Sequence, residues 1–235
     1  MNRLTTIGFD ADDTLWHNER HFRLTQDRFE ALLAQYAQAN HLHDRLLEAE
    51  RRNIAHYGYG AKGFTLSMIE TAVEVTDGKV PATIIAEILA AGRELMAFPV
   101  ECLPGVTTIL GELSRTYRLV LITKGDLFDQ ERKLAQSGLG DLFNAVEIVS
   151  EKTPSTYREL FQRHGTGPQA AMMVGNSLKS DVVPALEAGA WAVHVPHELT
   201  WALEHADEPA SHSRYRKAAS ITDLPVLLSK ITRNP

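Results

Sequence analysis

Residues 4–15 read LTTIGFDADDTL. Leu4 to Phe9 form a short apolar run with β-branched character, the composition of a buried strand. The strand is followed at once by Asp10, Asp12 and Asp13, then Thr14. Burying one unpaired carboxylate costs on the order of several kcal/mol, and like charges beside it raise that cost. A fold in which such a strand end meets compensating groups is therefore required, and the rest of the chain must supply them.

From residue 17 to 98 the texture is helical. The segment FRLTQDRFEALLAQYAQAN places Phe22, Phe29, Leu32, Leu33 and Tyr36 on one stripe. HDRLLEAERRNIAHY, TLSMIETAVEVT and PATIIAEILAAGRELMAF repeat that periodicity, the last with Pro81 in its first turn. These four helices make a small bundle. After Pro104 and Gly105 strands and single helices alternate: VTTILGELS helix, RLVLIT strand, DLFDQERKLAQSG helix, AVEIV strand, TPSTYRELFQRHG helix, AAMMVG strand, SLKSDVVPALEAG helix, AWAVHV strand. Continuous apolar strands joined by helices predict an α/β fold, a parallel sheet covered on both faces. The bundle then reads as an insertion after the first strand. The expected domains are 1–16 with 99–235 for the α/β core and 17–98 for the helical insertion.

The 235 residues, 44% hydrophobic and 23% charged, have the balance of a globular protein. A net charge of −6 argues against a nucleic-acid polymer as partner, and the basic cluster Arg214, Arg216 and Lys217 is expected to be a solvated turn. Cys102 is the only cysteine, so no intramolecular disulfide forms. No apolar stretch approaches the ~20 residues that span a bilayer, and the N-terminus lacks a basic region followed by an apolar one. The expectation is a cytoplasmic protein with no membrane partner. Monomer and homodimer both fit this composition.

In an open parallel sheet, ligands bind beyond the carboxyl ends of the strands. Those ends carry Asp10, Asp12 and Asp13 after the first strand and Thr123 and Lys124 after RLVLI. They carry Lys152 after AVEIV and Gly175, Asn176 and Asp181 after AAMMV. FDADDTL, LVLITKG, EKTP and VGNSLKSD resemble, in order, the four motifs of the haloacid dehalogenase-like (HAD) superfamily of phosphohydrolases. The resemblance implies a Rossmann-like core, and makes the helical insertion similar to the family's type 1 cap.

It also implies roles. Asp10 would attack a phosphate ester in line, giving an aspartyl-phosphate, while Asp12 would protonate the leaving oxygen and later deprotonate water. Thr123 would bind a transferring phosphoryl oxygen, with Lys124 and Gly125 beside it, and Lys152 would balance the negative charge. Mg²⁺ would be held by Asp10, the main-chain carbonyl of Asp12 and a fourth-motif side chain, Asn176 or Asp181. The fourth motif usually begins Gly-Asp, whereas this chain has Gly175-Asn176. The reading that follows is a Mg²⁺-dependent phosphatase of a small-molecule phosphate ester. Haloacid dehalogenase, phosphomutase and a catalytically weak binding or regulatory protein are its rivals; Asp12 speaks against the first, since a dehalogenase needs no second acid.

Several motifs have plainer explanations. GYGAKG at 58–63 fits Gly-x-Gly-x-x-Gly but follows a helix, so it is not a dinucleotide site. It reads as a turn or as a substrate-facing loop in which Lys62, Tyr57 and Tyr59 touch the ligand. His17 and His21 read as a solvated helix start rather than a zinc pair. Trp16 is expected at the entrance to the site, Ser177 as a helix N-cap, and Asp13 in solvent or on a backbone hydrogen bond. Asp181 has a competing reading as a first-turn carboxylate favoured by the helix dipole.

Overall fold

The computed structural model describes residues 3–233. They form two compact units. One runs to His17, resumes over Val100–Lys124 and continues from Gln130; the other comprises Asn18–Pro99 and Gly125–Asp129. Gly125–Asp129, which the sequence reading kept with the sheet, groups with the helices.

The first unit is built on a six-stranded, all-parallel sheet: β1 (Thr6–Phe9), β2 (Arg118–Lys124), β3 (Ala145–Val149), β4 (Ala171–Gly175), β5 (Trp191–His194) and β6 (Tyr215–Lys217), in the order β3-β2-β1-β4-β5-β6. The strand nearest the N-terminus is therefore central. Phe9 stands level with Leu121 on one side and Val174 on the other, and Asp10 N–H continues the ladder to Val174 O at 2.9 Å. One core packs Ile7, Phe9, Leu119, Leu121, Met172 and Val174 against apolar residues of α5 (Val106–Leu113) and α9 (Leu224–Arg233). The other packs Val120, Ile122, Ala171 and Met173 against Tyr157 and Phe161 of α7 (Pro154–Arg163) and Ala185 and Leu186 of α8 (Val183–Glu187). Alternate residues of the same strands enter opposite cores, which is why these strands read as unbroken apolar runs.

In this unit sheet and helices follow the predicted pattern, with two corrections. Residues 215–217, expected as a solvated turn, form edge strand β6. Ala192 and His194 pair with Tyr215 and Lys217, and Trp191 lies under the guanidinium of Arg216 at 4.9 Å. A three-residue strand whose outward groups are basic has no alternation to betray it, and charge is a common device on an edge. The closing helix α9 was also not assigned from sequence.

The second unit holds α1 (Glu19–Leu33), α2 (Ala39–Tyr57), α3 (Ala61–Val75) and α4 (Ala82–Ala97). Its core joins Phe29, Leu33, Leu42, Leu46, Phe64, Met68, Ile88 and Leu95. Tyr36 leaves the predicted stripe, being 38% exposed, because α1 ends at Leu33. Between α2 and α3, Gly58 and Gly60 take positive φ, and helix resumes at Ala61, earlier than the expected Thr65. His21 is buried and stacked on Phe98 with ring centroids 4.4 Å apart, so the solvated helix start expected there is not found. Among the described residues no helix is long and apolar enough to cross a membrane.

Helices α3 and α4 pack tightly at Gly92, where an added Cβ would lie 2.2 Å from Thr65 Oγ1 and 2.8 Å from Thr65 Cγ2. Thr65 is short and its hydroxyl is bound to Ala61 O at 2.7 Å, so it has little room to yield. Gly92→Ala is expected to cost about 1–3 kcal/mol as overpacking in denaturant unfolding. The double variant Thr65→Ala/Gly92→Ala should recover part of that loss, because it removes the two clashing atoms.

Candidate active site

Four chain segments of the sheet unit bring charged groups to the carboxyl ends of β1, β2, β3 and β4. Lys152 lies just before α7, whose start is fixed by Thr153: its hydroxyl accepts from Thr156 N–H at 3.1 Å, and Pro154 opens the first turn. From there Lys152 Nζ donates to Asp10 Oδ1 at 2.5 Å and to Asp181 Oδ1 at 2.7 Å. All three side chains are buried. One ammonium thus bridges two carboxylates.

Asp181 sits in a π-helical turn, Leu178–Val182, that leads into α8. Its Oδ2 accepts Ser177 N–H at 3.0 Å, while Ser177 Oγ accepts Ser180 N–H at 2.9 Å, so Ser177 is the expected N-cap. Gly175 makes this possible: a Cβ there would lie 2.2 Å from Asp181 Oδ2. Both Asp181 oxygens are engaged, one on the helix start and one on Lys152.

The neighbouring acids are pushed in opposite directions. Burial, reinforced by the negative charge of Asp181 and opposed by Lys152, pushes the Asp10 carboxyl up to about 7. Asp12 is half-buried, and burial would raise it too, but Lys133, Gln130 and Trp16 hold it below the usual carboxylate range. Burial pulls the Lys152 ammonium downward; Asp10 and Asp181 outweigh it and hold it above the ordinary lysine value.

Trp16 is not at an entrance. It is 1% exposed, packed in the core, and its indole N–H donates to Asp12 Oδ1 at 2.7 Å. Asp13 is buried rather than solvated; with φ of 60° it donates its N–H to Trp16 O at 2.7 Å, and His197 Nε2 lies 3.6 Å from its carboxylate. His17 contacts the ring of His197 edge-on. Thr123 is buried at the end of β2. Lys124 is turned to Ser180 Oγ and Glu204 Oε1, both at 2.8 Å, and Gly125 has φ of 137°. In the helical unit Lys62 pairs with Asp126 at 2.9 Å, and Tyr57 donates to Glu70 at 3.3 Å.

Four residues of this region went unassigned in the sequence. Thr14 donates to Asp10 Oδ2 at 3.0 Å and accepts Asn176 N–H at 3.0 Å, with Asn176 Oδ1 at 3.2 Å. Gln130 and Lys133 of α6 (Leu127–Ser137) bind Asp12. Glu204 binds Ser177 and Ser180 through hydroxyls at 2.5 Å. The i, i+3 spacing of Gln130 and Lys133 on one helix after the second motif was a usable signal. Glu204 lies in an irregular segment and gave none.

Thr14 has one hydroxyl proton and two acceptors in reach, Asp10 Oδ2 and Asn176 Oδ1. Oxygens in excess of protons are the surroundings a hard cation takes, so these two atoms fit Mg²⁺ by chemistry. Among the described residues no three His, Cys, Asp or Glu side chains group as a metal site. The candidate donors are instead one carboxylate, one amide and main-chain oxygen. Asn176 is held in place by its carbonyl, which accepts from His194 Nε2 at 3.0 Å.

A model of the haloacid dehalogenase-like hydrolase family matches residues 4–189, and the chain belongs to that family. Its structure is similar to that of a haloacid dehalogenase-like family hydrolase from Xanthomonas campestris, with a TM-score of 0.85 and 41% identity, covering 99% of this chain and 95% of that one. It is 35% identical over 103 residues to glyceraldehyde 3-phosphate phosphatase of Methanothermobacter thermautotrophicus, covering 41% of this chain and 46% of that protein. It is 28% identical over 133 residues to N-acylneuraminate-9-phosphatase of Rattus norvegicus, covering 54% and 51% respectively. These matches span about half the length of the curated relatives.

Removing the central ammonium should expose the energetics of the triad. Lys152→Met leaves two buried carboxylates unbalanced and is expected to destabilise the metal-free protein by about 3–5 kcal/mol near pH 8. Without the cation the Asp10 carboxyl, already raised by burial, rises further above its unfolded value, so the folded variant holds a proton that the unfolded chain does not. Its deficit against wild type should therefore shrink as pH falls from 8 to 6, read from unfolding midpoints in the presence of a chelator.

Proposed function

We propose that this hydrolase is a Mg²⁺-dependent phosphatase of small-molecule phosphate monoesters. The observation that carries the reading is the buried Asp10–Lys152–Asp181 triad at the carboxyl end of the central strand, with Thr14 and Asn176 on its other side. The phosphatase activities of the two curated relatives support it, as does an acid placed two residues after Asp10.

Asp10 is the nucleophile. One oxygen attacks phosphorus as the ester P–O bond breaks, and the leaving oxygen takes a proton from Asp12. In the second step Asp12, now a carboxylate, takes a proton from water as that water attacks phosphorus and releases Asp10. Lys152 orients Asp10 and offsets the charge gathered on nucleophile and phosphoryl group; Thr123 binds a phosphoryl oxygen. The clamp on Asp12 favours its carboxylate form, the form that activates water, so the first step requires Asp12 to take up a proton as substrate enters.

Asp10, the carbonyl of Asp12 and Asn176 would hold the cation, and Asp181 would serve by fixing Lys152. Bound there, Mg²⁺ would screen the negative charge shared by Asp10 and a phosphate. The helical unit would select the leaving group, as cap segments do in the family the chain resembles.

A screen of phosphorylated metabolites with Mg²⁺ is expected to give phosphate release that Asp10→Asn abolishes. Release unaffected by Asp10→Asn, or chloride release from a haloacid with no phosphate release from any ester, would overturn the reading. Asn176→Asp replaces a neutral ligand with a charged one. It should lower the Mg²⁺ concentration for half-maximal activity and tighten Mg²⁺ binding measured calorimetrically without substrate; an unchanged affinity would remove Asn176 from the ligand set.

A further inference from the structure

The Asp12 side chain is held by more groups than a loop acid needs. Trp16 Nε1 donates to Oδ1 at 2.7 Å, Gln130 Nε2 to Oδ2 at 2.8 Å, and Lys133 Nζ to Oδ1 and Oδ2 at 3.0 and 3.1 Å. Gln130 and Lys133 stand one helical turn apart and so approach from one face of α6. Gln130 spends its second amide hydrogen on Lys124 O at 2.9 Å, tying Asp12 to the end of the strand that carries Thr123. Its Oε1 is buried and has no hydrogen-bond partner among the described residues.

We infer that Gln130 and Lys133 are positioning residues that set the orientation of Asp12 for proton transfer to the leaving alcohol. The inference rests on the phosphatase reading. A carboxylate on a short side chain turns about two bonds, and proton transfer to a leaving oxygen requires hydrogen-bond reach at the moment the P–O bond breaks. A bidentate ammonium, with an amide braced against the adjacent strand, removes that freedom. After the transfer the proton sits on the leaving alcohol and the electron pair on Asp12, whose carboxylate is received by the same three donors.

A purely structural salt bridge between loop and helix would affect all substrates alike; a positioning role would not. The leaving group of 4-nitrophenyl phosphate departs without a proton, whereas an alkyl phosphate needs one. The test measures kcat/KM, which reports the step forming the phosphoenzyme, for 4-nitrophenyl phosphate and for the fastest alkyl phosphate found in the metabolite screen. Both are run with Mg²⁺ on wild type, Lys133→Met, Lys133→Arg and Gln130→Met. Lys133→Met and Gln130→Met are expected to lose about 10²-fold or more on the alkyl ester and less than about tenfold on the aryl ester. Lys133→Arg, which keeps a charge able to fork onto both oxygens, should regain most of the alkyl activity.

Equal loss on both esters, or no loss on either, overturns the inference and leaves the phosphatase reading standing. A wild-type protein that releases phosphate from no ester overturns both. Should Lys133→Met fail to fold, Gln130→Met, which changes no charge, carries the same ratio.

Discussion

One ammonium shared by two buried carboxylates organises the sheet unit's functional end. Lys152 reaches Asp10 from one side and Asp181 from the other, and none of the three would be tolerated there alone. The neighbours of the triad follow from that requirement. Gly175 has no side chain because Asp181 fills the space, and Ser177 caps the turn that carries Asp181. Thr153 fixes the start of the helix preceded by Lys152. Four segments far apart in the chain meet because the strand order brings β1 between β2 and β4.

Asp10 and Asp12 are two residues apart in one loop and live in different electrostatic surroundings. Asp10 is driven upward by burial and by the carboxylate beside it, against the pull of a lysine; Asp12 has a lysine, an amide and an indole to itself, and is driven down. Separating the affinities of two acids for protons is a general way to give them separate tasks. Side-chain direction sets these surroundings: alternate positions after a strand send one carboxylate to Lys152 and Asp181 and the other to Gln130 and Lys133 of α6.

The sequence made much of this legible. Apolar runs and their spacing gave the central strands and the order of helices, and the strand ends marked Asp10, Lys152 and Asn176, which meet around Thr14 and Asp181. What it hid had physical causes. β6 is a short charged edge whose pairing is decided by its neighbour, not by its own pattern. Trp16 looked like a ligand-facing aromatic because position alone does not reveal that its N–H is claimed by Asp12. Lys133 and Gln130 show themselves only as an i, i+3 pair on one helix, with nothing local to say which acid they hold, and Glu204 comes from a loop with no period at all. Contacts made by long side chains across distant segments leave little trace in local composition.

The place of the three aspartates in the chain also bears on what happens before the sheet exists. β1 lies close to the N-terminus, but its ladders need Arg118 onward on one side and Ala171 onward on the other. During synthesis the apolar strand must therefore wait, with neither edge paired until β2 has been made and one edge open until β4 follows, and exposed strands of this kind are prone to associate with one another. Asp10, Asp12 and Asp13, set against its end, are charges of the sort that keep such segments apart. The same acids that burden the finished core would keep the nascent chain soluble while its partners are being made.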